Sequence, residues 1–130
     1  MKMRIFALLL SSMLATSAFG AVAYEGVTEC DGMKVTITFV WDQEASVIRD
    51  FTANHGCIDG TGGMVWSVGV AIDVAEDGSF SHTDSYGNGV SGKLNEDGTA
   101  AGSILGGGIS MKCADEEFHK MCLEWTAKEK

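Results

Sequence analysis

The string Ser81-His82-Thr83-Asp84 sets a hydroxyl, an imidazole and a carboxylate within four residues, the groups that nucleophilic hydrolysis requires. Adjacent residues on a strand point to opposite faces, so Ser81 and His82 would not meet there. No Gly-x-Ser-x-Gly elbow supplies another nucleophile. Cys113, His119 and Cys122, with His55 two residues before Cys57, are metal-ligand types. None of their spacings is the Cys-x-x-Cys pair of a zinc knuckle, and no EF-hand loop is present. Gly60-Thr61-Gly62-Gly63 and Gly106-Gly107-Gly108 are not followed by Lys-Ser/Thr and do not open a helix, so the chemistry of a phosphate cradle is missing. The chain reads as non-enzymatic, with no catalytic residue and no cofactor.

Contact chemistry is better represented. Trp41, Trp66 and Trp125 each fall on the apolar parity of an alternating run and read as packing residues. Tyr86, inside Ser85-Tyr86-Gly87-Asn88-Gly89, sits in a turn, where an aromatic gains little from burial; it is the first candidate for a contact surface. Acidic pairs and triplets mark four further connections: Asp42 and Glu44, Glu76 and Asp77, Glu96 and Asp97, and Asp115, Glu116 and Glu117. In a meander, alternate turns lie at the same end, so these nine carboxylates are expected on one rim. The glycine-rich stretches 56–63, 85–89 and 105–108 would then occupy the other end. Such a rim would suit a cationic partner or a weakly held Ca²⁺ ion, and the glycine end a neutral ligand.

Positioning these residues falls to a chain of 130 residues with 17 Gly, no Pro and a formal net charge of −9, room for one ordinary domain. The acidic balance excludes nucleic-acid binding through a basic surface. Lys2 and Arg4, an apolar run from Ile5 to Phe19, and small-residue sites before Ala21 and before Tyr24 make residues 1–23 a secretory signal. The run is too short for stable membrane insertion, so a secreted or periplasmic domain of residues 24–130 is expected. Without Lys2 and Arg4 that domain carries 7 basic and 18 acidic residues, a formal charge of −11. In an oxidising compartment Cys30, Cys57, Cys113 and Cys122 should form two disulfides, by any of three pairings.

Period two dominates. Met33, Val35, Ile37, Phe39 and Trp41 alternate with polar or small residues, as do Met64, Trp66, Val68, Val70 and Ile72, and Met121, Leu123 and Trp125. Shorter strands are expected near 44–52, 79–84, 89–94, 99–105 and 109–113, with a bulge where Val47, Ile48 and Phe51 break parity. Ala114 to Met121 is the best helical segment, one or two turns long. Ala75-Glu76-Asp77-Gly78-Ser79 is echoed by Asn95-Glu96-Asp97-Gly98-Thr99, two Asp-Gly hairpin signals that belong at one end. The expected fold is all-β: a small antiparallel meander of about eight strands, forming a sandwich or closed barrel stapled by disulfides.

Gly56-Cys57-Ile58-Asp59-Gly60, Asp77-Gly78-Ser79-Phe80, Val90-Ser91-Gly92, Asp97-Gly98-Thr99-Ala100-Ala101-Gly102, Cys113 and Trp125-Thr126-Ala127 occur in an order that resembles a functionally uncharacterised all-β module of secreted bacterial proteins. The resemblance implies a bond from Cys57 to Cys113, which leaves Cys30 for Cys122. It brings no activity with it. The functional expectation is an exported binding module for an unknown protein or small ligand, with cationic partners favoured. The alternative is an inhibitor of an extracellular or periplasmic hydrolase of the lysozyme or protease type.

Overall fold

The computed structural model describes residues 20–106 and 110–130. Residues 1–19 of the segment that reads as a secretory signal, and Gly107 and Gly108 of the second glycine run, lie outside the described residues. Eleven strands follow in order: β1 (Ala21–Cys30), β2 (Met33–Asp42), β3 (Val47–Cys57), β4 (Gly63–Ser67), β5 (Ile72–Asp73), β6 (Ser79–Thr83), β7 (Gly89–Leu94), β8 (Thr99–Leu105), β9 (Ser110–Lys112), β10 (Phe118–Lys120) and β11 (Glu124–Glu129). All pairings are antiparallel. Eight strands form one path, β4-β3-β2-β1-β11-β8-β7-β6, and β5 joins it on β3. The sheet curls into a half-barrel. Its two ends come together through β5, which pairs with Val47 and Ile48 of β3, and through the single bridge Val74↔Phe80 to β6.

The curl follows from alternation. β2 buries Met33, Val35, Ile37 and Phe39, while Lys34, Thr36 and Thr38 face outward. Phe39 stacks between Tyr24 and Phe51, and Trp125 meets Phe39, Phe51 and Phe80 at centroid distances of 5.7–6.2 Å. Each such ring buried contributes roughly 2–3 kcal/mol. Gly92 and Gly102, paired across β7 and β8, make room for the indole: a Cβ on either would lie 2.7 Å from Trp125 Cζ2.

The bulge expected near residue 50 is present. Thr38 pairs with Thr52 but Val40 with Arg49, so Phe39 faces two residues, and Asp50 takes a φ of 56°. This turns both Ile48 and Phe51 inward. Three expectations need correction. The run from Met64 to Ile72 is two strands, because after Val68 the chain leaves β3, and exposed Gly69, Val70 and Ala71 carry it to β5. Ala114 to Met121 is a β-turn and strand, since hairpin pairing of β9 with β10 satisfies more backbone than one helical turn would. The final strand begins at Glu124, with Trp125 and Ala127 inward and Leu123 exposed.

Candidate functional site

Five hairpin turns share one hydrogen-bond pattern. In each, the first residue's N–H donates to the fifth residue's carbonyl, and the fourth residue's N–H donates back to the first. The pairs are Cys57/Thr61, Ala75/Ser79, Asp84/Asn88, Asn95/Thr99 and Cys113/Glu117. The fourth residue takes positive φ, for which Gly is suited: Gly60, Gly78, Gly87 and Gly98 lie at φ of 86–91°, and Glu116 at 66°. In three turns the third-position Asp accepts from both the backbone N–H and the hydroxyl two residues on: Asp59 from Thr61, Asp77 from Ser79, Asp97 from Thr99. Those bonds, the hydroxyl's first, hold all three carboxyls below the usual range. Asp77 and Asp97, two of the four aspartates expected on the acidic rim, are thus spent on their own turns.

The molecule's two ends differ. Antiparallel pairing places Asp42, Glu44, Glu76, Asp77, Glu96 and Asp97 at one end, beside the C-terminal Glu129. Asp42 is drawn down first by the Ala45 N–H, then by Arg49 at 3.1 Å. Tyr24 registers this field from inside: burial first, then Glu129 and Asp97, pushes its hydroxyl up to about 12. Asp115, Glu116 and Glu117 are not on this rim. The β9–β10 excursion carries them to the opposite end, so the expected nine carboxylates separate into six and three. A connection that leaves the meander for its own small hairpin shifts the alternation of ends. Among the described residues no group of three or more His, Cys, Asp or Glu is arranged to hold a metal ion.

The other end is clamped. Cys57 bonds Cys113 and Cys30 bonds Cys122, the pairing the sequence resemblance implied, so both disulfides tie the 110–122 excursion to the barrel. His119 lies across Gly32, where a Cβ would sit 2.5 Å from Nδ1. Its Nδ1 faces the Asp31 carbonyl at 3.0 Å and its Nε2 faces Asp115 Oδ2 at 2.9 Å. Both neighbours are acceptors, so only the doubly protonated ring satisfies both. The hydrogen bond to Asp115 is the main cause that raises this imidazole above its ordinary range. The Ala114 N–H donates to Asp59 Oδ2, and the Ile58 N–H to the Gly32 carbonyl, closing the clamp. These groups position loops.

Four large apolar side chains project from this end: Ile58, Phe118, Leu123 and Tyr86, which is 87% exposed. Tyr86 stands where all four sister turns place Asp, with its N–H held by Asp84 Oδ1 at 2.8 Å. Ser81 and His82 sit in β6 with neighbouring, opposite-facing positions. Trp41, Trp66 and Trp125 all pack on the core. Of these four, the sequence marks Tyr86 through its place in a turn and sets Leu123 on the apolar parity of the last strand; nothing in the local pattern around Ile58 and Phe118 marks them.

Beneath the clamp lies one anomaly. His55 is 1% exposed on the inner face of β3, and neither ring nitrogen has a hydrogen-bond partner among the described residues. Burial holds it below its ordinary range, with the Cys122 carbonyl pulling weakly the other way from outside hydrogen-bond geometry. Comparison with protein-family models, curated proteins and solved structures finds no match.

Proposed function

We propose that the domain is an exported, non-enzymatic binding module whose contact surface is the disulfide-clamped end. The observation that carries this reading is four exposed apolar side chains, Ile58, Tyr86, Phe118 and Leu123, on connections pinned by two disulfides and by Asp-capped turns. Apolar groups held rigid in water make contact at little ordering cost, and aromatic anchors dominate interface energetics. Glu116 and Glu117, exposed at this same end, favour the approach of a cationic partner.

Disulfides fit an oxidising compartment, and export through the segment 1–23 is part of the proposal. Of the two cleavage sites, the one before Ala21 keeps β1 whole. The one before Tyr24 removes Ala21, Val22 and Ala23 from their pairing with Asp42, Trp41 and Val40. N-terminal sequencing of exported protein should therefore begin at Ala21.

The binding test is capture from periplasm or culture medium with the wild-type domain and a Tyr86→Ser/Phe118→Ser variant. A partner retained by wild type, lost with the variant, and kept by Glu76→Gln supports the surface. Equal capture by all three refutes it. Should the partner be a hydrolase whose turnover falls at one equivalent of domain, the binding is inhibition.

A further inference from the structure

β4 is an edge strand without the usual protection. Natural edges are guarded by Lys, Pro, a bulge or a covering loop. From Gly60 to Ile72 the chain carries no charged residue and no proline, although the protein as a whole is strongly acidic. β4 pairs with β3 alone, and among the described residues no strand pairs with its other side. β6, at the far end of the sheet, differs: the Val74↔Phe80 bridge crosses it.

The hydrogen-bond phase says which groups are free. The Val68 N–H donates to the Phe51 carbonyl at 2.9 Å, so in this antiparallel register Met64, Trp66 and Val68 bond to β3. Gly63, Val65 and Ser67 direct their N–H and C=O groups to the open side. Val65 is 62% exposed and lies at the centre of the strand.

We propose that this edge pairs antiparallel with the same strand of a second copy, about a twofold axis at Val65. The register is self-complementary. Val65 would oppose Val65 of the second copy, and each Gly63 a Ser67, so all three free positions on each strand meet their like in hydrogen-bonded pairs. On the inner face Met64 would lie opposite Trp66. Charge selects this occupant. Two acidic copies repel over most of their surface, and this uncharged strip is where their sheets can approach without opposing carboxylates. A basic peptide would find no carboxylate on the strand to pair with. Because a five-residue edge buries well under the ~1,000 Å² of a stable interface, the dimer is weak and its affinity rises with salt.

The inference is independent of the proposed contact surface, which lies on other residues. Its test is sedimentation equilibrium of the exported protein up to about 1 mM, where a weak pair becomes populated. Wild type should show a concentration-dependent dimer. Val65→Lys, at an exposed position that leaves the β3 ladder intact, should weaken it by about tenfold or more with an unchanged melting temperature. Oxidation of Val65→Cys should give a covalent dimer faster than oxidation of Val70→Cys, since hydrogen-bonded partners have Cα atoms about 5.5 Å apart, within disulfide reach. A wild-type monomer throughout, a dimer unaffected by Val65→Lys, or equal cross-linking at the two positions would each overturn the proposal.

Discussion

Replacing His55 with leucine should stabilise the protein. The ring is buried at 1% exposure between Val35 on β2 and Met64 on β4, and both of its nitrogens lack partners among the described residues. A buried polar atom without a partner costs roughly 1–3 kcal/mol, and the shape mismatch of a similar-sized apolar replacement returns up to about 1.5 kcal/mol. The net gain for His55→Leu is about 1–2 kcal/mol at neutral pH. For a domain of this size that is a rise in melting temperature of roughly 5–10 °C. Acid makes the contrast larger. With its folded value below the ordinary 6.5, His55 takes up a proton on unfolding in the window between the two, so wild-type stability falls as pH drops below 6.5. The slope is bounded above by about 1.4 kcal/mol per pH unit, the limit for one proton, and His55→Leu removes it. His119 has the opposite sign: raised above 6.5, it stabilises fully below that pH, and its contribution fades as pH rises through the folded value. That term is common to both proteins and cancels in the difference. Urea melts at pH 5 and pH 7.5, with disulfides intact, measure both quantities. A variant less stable than wild type, with the same difference at the two pH values, would show that the ring nitrogens are satisfied and refute the reasoning.

Three other outcomes are expected. Gly102→Ala should unfold the domain or cost at least about 3 kcal/mol by thermal melt, because the added Cβ meets the Ser91 carbonyl oxygen and Trp125 Cζ2 in a core without slack. Glu116→Gly should stabilise by about 0.5–1 kcal/mol in urea titration, since it relieves a left-handed φ of 66° that four sister turns give to Gly. Opening the Cys30–Cys122 bond with a Cys30→Ala/Cys122→Ala pair should cost about 4–5 kcal/mol by chain entropy, for a sequence separation of 92. The same treatment of Cys57 and Cys113, 56 apart, should cost slightly less, compared by guanidinium titration of the two variants.

Much of the fold was legible in one dimension. Met33 to Trp41 alternates because one face meets core, and that strand is where the alternation placed it. The parity break at Val47, Ile48 and Phe51 announced the bulge at Asp50. β1 was not legible. Its inward positions are Val22, Tyr24, Gly26, Thr28 and Cys30, a mixed set with no sustained apolar period, and it becomes a strand because β2 and β11 flank it. Gly26 lets β11 approach closely: a Cβ there would collide with the Thr126 carbonyl oxygen.

By itself the sequence determined what depends on neighbours along the chain. Strand parity, Asp-Gly turns and the chemistry of a disulfide-bonded, acidic all-β domain all arise from contacts within a few residues, where steric and hydrogen-bond preferences act directly. The tertiary structure decided which ends and edges come together. It put Asp115 beside His119 and Asp59 rather than on the acidic rim and, among the described residues, left His55 sealed without a hydrogen-bond partner and the outer edge of β4 unpaired. Those outcomes depend on where a curled sheet meets itself and on the 110–122 excursion between β8 and β11. The sheet closes on itself through β5 and the Val74↔Phe80 bridge, and the excursion is tied down by disulfides across separations of 56 and 92 residues, over which local preference carries no information.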